Sequence, residues 1–432
     1  MNRRVLGLST ILAVGALALT ACSSSGGSGG DSGDKGGGKA AGGEVTLKLV
    51  AADYGNTASD SSKIYWDDVA KRFTAQNPTI KVDVQVINWD DIDKQVKTMI
   101  QSGNVPDVVQ TGGYADKVAD DLLYKASDVL SSDTQANLIE SFAKAGQVDG
   151  TQYGIPFDSS TRVLFYNKKI FSEAGIADPP KTWDEIKADA QLIKDKKLAP
   201  VPYALPLGPE EAQGESMIWE LGNGGGYTDA SGKYTLNSQA NIDTFTWLKA
   251  NLVGPGLTYA NPATTDRKTA FADFAAGKAA MLNGHPTLIA AATAGKVDYG
   301  VAPIPGRTAP LQSTLGVADW MMAFKKNGHQ DEIKKFLDFA YTKENTLKFD
   351  EMYNLMPVTK DTLQDMTGSG KHKDLEQFFA LLPTASFYPL GDTTWDAVSA
   401  EIKKSGGTAV KDDPAQVLGA LQKKAEQAVA NQ

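Results

Sequence analysis

Apolar and polar residues alternate at the start of the globular part of the chain. Val45, Leu47 and Leu49 are separated by Thr46 and Lys48, a period of two that predicts a half-buried strand. Trp66, Val69, Ala70 and Phe73 then recur at helical spacing, and Asn77-Pro78 stops that helix. Alternation returns at Ile80, Val82, Val84 and Val86, and a second helical face follows at Ile92, Val96, Met99 and Ile100. Val105 to Val109 reads as a short strand. Strand, helix, strand, helix, strand implies a parallel sheet with helices on both faces. Ligands of such sheets sit beyond the carboxyl ends of the strands, which directs attention to Ala51 to Tyr54, to Trp89, and to Thr111 to Tyr114.

The segment from Tyr153 to Lys197 has the densest local signals. Val163 to Tyr166 is a β-branched and aromatic run suited to a buried strand. Asn167 can cap the next turn through its side-chain oxygen, and Pro179-Pro180 forces extended chain. Thr182 and Glu185 form a capping box for a helix that buries Trp183, Ile186, Ala190 and Ile193. Further on, Ile333, Phe336, Leu337, Ala340 and Tyr341 mark an amphipathic helix, and Asp413 with Pro414 opens a C-terminal one.

Composition narrows the class. At 432 residues, 41% hydrophobic and 22% charged, the chain has the make-up of a globular protein of two or three domains. Its net charge of −9 disfavours nucleic acid and anionic membrane surfaces as partners.

The N-terminus reads as a processing segment. Arg3 and Arg4 precede the apolar run Val5 to Ala21, and Leu19-Thr20-Ala21-Cys22 matches the bacterial lipoprotein box. Residues 1–21 are therefore expected to be a signal peptide, with Cys22 lipidated after cleavage and holding the protein on the outer face of the cell membrane; two or more acyl chains anchor stably. The Gly/Ser-rich stretch 22–43 is expected to be a flexible tether spanning roughly 25 Å. Cys22 is the only cysteine, so the body has no thiol for disulfides or thiolate metal sites. His285, His329 and His372 lack ligand spacing, and no metal or other cofactor is expected.

Several runs also resemble a known family. Ile155-Pro156-Phe157, Leu164-Phe165-Tyr166-Asn167-Lys168, Phe171, Ala174-Gly175-Ile176, Pro179-Pro180 and Thr182-Trp183-Asp184-Glu185 resemble the crossover segment of the extracellular solute-binding proteins of ABC importers, in the sugar-binding group that includes maltose-binding proteins. Asn77-Pro78, Pro106-Asp107-Val108-Val109, Phe274 to Gly284, Val297 to Gly306, the Trp320 strand and Met356-Pro357-Val358 continue the likeness collinearly over residues 44 to 430. The resemblance implies an α/β, two-lobed periplasmic-binding-protein fold, each lobe a mainly parallel sheet flanked by helices, joined by hinge strands near Gly154 to Pro156. It divides the chain into 44–156 plus 286–328 for the first lobe and 157–285 plus 329–432 for the second. It further implies a monomer that closes on a mono- or oligosaccharide and delivers it to the transmembrane subunits of an ABC permease.

Sugars present hydroxyls at their edges and C–H groups on their faces, so a sugar site wants aromatics, carboxylates, amides and arginine. Such residues fall where the fold puts cleft loops: Asp53, Tyr54, Trp89, Asp90, Tyr114, Asp158, Arg162, Glu211, Trp219, Asp319, Trp320, Tyr353, Tyr388 and Trp395. Trp66, Trp183 and Trp247 lie on helical faces and are read as core, and Asp107 as structural. Relatives that bind malto-oligosaccharides carry an aromatic after Asn283-Gly284, where this chain has His285-Pro286. Catalysis is not expected. Gly277-Lys278 lacks the rest of a phosphate loop, and the adjacent acids Asp90/Asp91, Glu210/Glu211 and Asp412/Asp413 are sequence neighbours rather than carboxylates facing each other across a bond. The alternatives are a binder of an anionic polyol such as glycerol phosphate, held by Arg162 and helix N-termini, and a secreted glycan-active enzyme.

Overall fold

The computed structural model describes residues 43–431 except Asn56; Cys22 and the segments around it lie outside the described residues. Among the described residues there are eleven strands: β1 Val45–Asp53, β2 Ile80–Asn88, β3 Val108–Thr111, β4 Gln147–Val148, β5 Thr151–Gln152, β6 Ile155–Ser160, β7 Val163–Asn167, β8 Val201–Tyr203, β9 Ala279–Gly284, β10 Tyr299–Ala302 and β11 Val317–Ala323. They form a five-stranded sheet in the order β2-β1-β3-β11-β6, a four-stranded sheet in the order β10-β7-β9-β8, and the β4-β5 hairpin.

The sheets are mixed. β1 pairs in parallel with β2 and β3, as the alternating strands and helices predict. β11, by contrast, runs antiparallel to both β3 and β6. In the second sheet only β8 and β9 are parallel, while β7 pairs antiparallel with β9 and β10. The antiparallel strands are those by which the chain enters or leaves a sheet at a crossing.

The first sheet is buried by helix Ser62–Gln76, whose Tyr65, Trp66, Val69 and Phe73 face it. Trp66 stacks on Phe157 of β6 at 5.1 Å. Helix Gln330–Ala340 also packs here, because its apolar stripe carries Phe336 against Phe73 and Trp66. On the second sheet, helix Trp183–Asp195 buries Trp183, Ile186, Ala190 and Ile193. Its N-cap is the expected Thr182, which accepts from Glu185 N, although Glu185 reaches back to Lys181 N rather than to Thr182. Asn167 caps its helix through Ile170 N. Asp413 caps helix Pro414–Ala430.

The chain passes between the two halves three times. The first crossing is Thr161-Arg162, between β6 and β7, later than the expected Gly154 to Pro156, which lies within or before β6. The second is the segment between β10 and β11, and the third follows helix Lys360–Gly368. Hydrogen bonds tie them together: Thr314 Oγ1 donates to Arg162 O at 2.9 Å, and Thr161 Oγ1 to Phe378 O at 3.2 Å. Two segments depart from the expected division of the chain. β10, within 286–328, pairs in the second sheet. The helices at 330–353, within 329–432, cover the first, because their apolar faces match Phe73, Trp66 and Phe157.

Candidate functional site

At the carboxyl ends of the first sheet's strands, three side chains meet on one hydroxyl. The Tyr54 oxygen lies 2.5 Å from Asp319 Oδ2 and 2.9 Å from Asp158 Oδ2, and it accepts from Gln110 Nε2 at 2.7 Å. Gln110 is itself held by Ala52 N, which donates to its Oε1. Asp158 on β6 and Asp319 on β11 face each other beside a β-bulge between Asp319 and Trp320. Burial, followed by the charge of Asp319, pushes the Asp158 carboxyl well above the usual range. Burial raises Asp319 to about 6. Trp89 stands at the end of β2 with its edge against Tyr54, ring centroids 5.4 Å apart, and is 38% exposed. Tyr353 backs Tyr54 at 5.6 Å and donates to Asp60 O, so it forms the wall behind the cluster.

The second half contributes a charged network at the first crossing. Buried Arg162 donates through Nη1 to Ser160 Oγ at 2.9 Å and through Nη2 to Glu211 Oε1 at 2.7 Å. Arg267 pairs with both Glu210 and Glu211. Burial raises the Glu211 pKa, but Arg162 and Arg267 outweigh it and hold the carboxyl below its ordinary value. Arg267 Nη1 donates to His285 Nε2 at 2.8 Å, which leaves the His285 Nδ1 proton for Thr287 Oγ1 at 2.9 Å. Burial, with the two arginines beside it, keeps that imidazole neutral. His285 is thus a brace for Arg267 rather than a replacement stacking face. The arginine expected to hold an anion in the alternative reading, Arg162, is already paired with a carboxylate.

Above this network Tyr388 stacks on Trp395, with centroids 5.2 Å apart and planes at 24°, and Tyr227 packs on Trp395 at 5.3 Å. The Tyr388 hydroxyl and Arg162 Nε are buried donors without a partner among the described residues. A Cβ at Gly214 would meet the Tyr388 hydroxyl at 2.8 Å and the Glu211 side chain at 3.0 Å, so only a glycine lets both converge there. A groove of about 300 Å³ between Leu221-Gly222 and Ala309 to Ser313 contains none of these groups.

Tyr54, Trp89, Asp158, Arg162, Glu211, Asp319 and Tyr388 therefore surround the ends of the crossing strands. Six other expected contacts are placed differently. The Asp53 carboxylate accepts from Gly55 N and Ser62 N at Oδ1 and from Ser61 Oγ at Oδ2, which fastens the loop to the next helix, while the Ser62 hydroxyl donates to Ala52 O. Tyr114 is buried against Trp320 and donates to Ala145 O. Trp320 is fully buried on β11. Trp219 is enclosed by Trp183 and Tyr203. Asp90 is exposed and pairs with Lys268 at 3.4 Å. Trp395 is only 4% exposed and backs the ring of Tyr388. Asp107 is structural as read, accepting from Lys48 N, Asn327 Nδ2 and His329 Nδ1. The sequence reading missed Gln110 and Arg267, whose partners lie 56 and 57 residues away; no local pattern marks them. Among the described residues no group of His, Cys, Asp and Glu is arranged to hold a metal ion.

Comparison with known proteins places the chain among solute-binding proteins. The chain is 29% identical over 394 residues to a binding protein of Brucella abortus, covering 88% of this chain and 93% of that one. It is 31% identical over 291 residues to the diacetylchitobiose binding protein of Streptomyces coelicolor, covering 63% and 65%. Its fold matches the ABC transporter solute-binding protein of Thermotoga lettingae solved with α-D-tagatose, with a TM-score of 0.77 and 20% identity over 89% of this chain and 99% of that one. The family model described as bacterial extracellular solute-binding protein matches residues 58–347, and with two crossed halves and facing polar clusters the chain belongs to that family of binders.

Proposed function

We propose that this protein captures a mono- or oligosaccharide between its two halves and hands it to the transmembrane subunits of an ABC permease. The observation that carries the reading is the pair of buried, unpartnered donors, Tyr388 hydroxyl and Arg162 Nε, beside the carboxylates Glu211, Asp319 and Asp158. Buried donors need acceptors, and the carboxyl groups beside them can accept from, or donate to, a solute hydroxyl. A hydroxyl-rich solute supplies both from the same atoms, while Trp89 and Tyr388 offer ring faces to its C–H surfaces. The sugar-related names of the Streptomyces and Thermotoga proteins support the same class. Contacts made from both halves favour closure because they are complete only in the closed form. Cys22 would anchor the mature monomer by lipid to the outer face of the membrane, with residues 22–43 as its tether.

Calorimetry and thermal shift against a sugar panel that includes diacetylchitobiose and tagatose, with glycerol phosphate as the anionic control, test the solute. The expected result is stabilisation by a neutral sugar, recovered chemically intact after denaturation. Stabilisation by glycerol phosphate alone would transfer the reading to anionic polyols, and conversion of the sugar would make the protein an enzyme. For the anchor, Cys22→Ala is expected to abolish partitioning into the detergent phase; retention there would overturn it.

A further inference from the structure

Away from the charged network, the two halves touch at a second place. Gly112 and Gly113 follow β3 in the first half, and helix Trp395–Ser405 belongs to the second. A Cβ built at Gly113 would lie 2.5 Å from Asp396 Oδ1 and 2.9 Å from Oδ2, so the Asp396 carboxylate rests directly on the backbone there. Lys117, on the short helix Ala115–Ala119, places its Nζ 3.5 Å from Asp396 Oδ2 and 2.7 Å from Asp116 Oδ1, with only 13% of its side chain exposed. A further ion pair joining the halves, Asp90–Lys268, has both side chains more than half exposed, and an exposed pair contributes little. The Asp396 contact is better shielded and is fitted sterically; burial raises the Asp396 carboxyl to about 7, the Lys117 charge opposes that rise, and the neighbouring Asp116 carboxylate adds to it.

We propose that Asp396, with Lys117 and the bare backbone of Gly113, forms a latch that biases the protein toward its closed form independently of solute. None of the three belongs to the cluster of acids, arginine and rings described above, so the contact draws the halves together on its own account. Asp396 immediately follows Trp395, the ring that supports Tyr388. Seating the latch therefore also seats the face that Tyr388 presents. Asp396 acts as a positioning residue: it raises apparent affinity by increasing the fraction of molecules already competent to bind. The inference rests on the two-halved clamp reading but not on the identity of the solute.

The test uses the full-length chain in detergent micelles, with fluorophores on Lys97→Cys in the first half and Lys233→Cys in the second, in a Cys22→Ser background. Energy transfer between them is read without solute. Asp396→Asn, Lys117→Met and Gly113→Ala are each expected to lower transfer efficiency, and the double variant Asp396→Asn/Lys117→Met to lower it no further than either single one. Apparent affinity for whichever sugar binds the parent should fall several-fold in parallel. If Asp396 serves only as a favourable charge in the first turn of its helix, Asp396→Asn will lower the melting temperature and leave transfer unchanged, which overturns the latch. Unchanged transfer in Lys117→Met and Gly113→Ala, each with a native circular dichroism spectrum, overturns it equally. A parent that binds no sugar leaves the transfer measurement intact and counts against the solute reading alone.

Discussion

The hydroxyl of Tyr54 sits 2.5 Å from a carboxylate oxygen of Asp319, and the same oxygen is 2.9 Å from Asp158 and already accepts from Gln110. A phenol has one hydrogen, so it cannot donate to both carboxyls. One of the two must itself be an acid and share its proton within the cluster. Asp158, almost fully buried, is pushed well above its ordinary range by burial and then by the charge of Asp319.

The raised Asp319 carboxyl has a consequence for stability. Asp319 is raised to about 6 in the folded protein, against an ordinary value of 3.8. A raised carboxyl keeps its proton in the folded state where the unfolded chain has lost it, so folding is favoured below about pH 4 and progressively less as pH rises through about 6. Asp319→Asn removes this titration. Urea unfolding at steps from pH 4 to 7 should show the parent losing on the order of 2 kcal/mol relative to the variant across that window. Parallel profiles would mean that Asp319 does not carry the titration.

Glu211 stands between two arginines, one of them almost fully buried. Removing one partner of a buried pair leaves the other uncompensated and costs about 3–5 kcal/mol. Glu211→Gln keeps the shape and one acceptor but loses the charge, so chemical denaturation should show a loss at the lower end of that range. A variant as stable as the parent would show that solvent, not Glu211, compensates Arg162.

Asp53 and Tyr388 should separate stability from binding. Asp53→Ala deletes acceptors for the two backbone donors Gly55 N and Ser62 N, which predicts a loss of about 1–3 kcal/mol in stability and unchanged affinity per folded molecule. Tyr388→Phe deletes a hydroxyl with no partner among the described residues. Its melting temperature should hold while calorimetry records roughly ten-fold weaker binding, the worth of about 1.4 kcal/mol. The reverse pattern in either variant would exchange the roles assigned to these residues.

Trp395→Ala should chiefly destabilise. The ring is 4% exposed between Tyr388 and Tyr227, and truncating a buried tryptophan costs about 3–5 kcal/mol. Equilibrium unfolding that finds the variant as stable as the parent, with binding abolished, would restore Trp395 to direct contact with solute.

The elements were largely readable from the chain because each has a local cause. Val45 to Leu49 alternates, Trp183 to Ile193 keeps a helical stripe, and Asn167 and Asp413 supply the oxygen that a free backbone N–H requires. Strand ends also located Tyr54 and Trp89. Sidedness was harder to read. Asp319 and Trp320 are adjacent, yet a bulge between them accompanies one joining the polar cluster and the other the core. Tyr114 follows two glycines in a loop, where no periodicity says which way a ring will turn. The Arg267 network joins positions dozens of residues apart, and such pairings exist only once the chain has folded.

The three crossings between the halves are laced to one another through Thr314–Arg162 and Thr161–Phe378. Parallel strips fastened side by side bend readily across their width but resist twisting and shear. On the proposed clamp reading, crossings laced in this way confine the movement of the halves to one angular coordinate. On that reading a single spacing measured between the halves specifies how far the molecule has swung, and solutes of different size would be met by the same stroke, halted earlier or later.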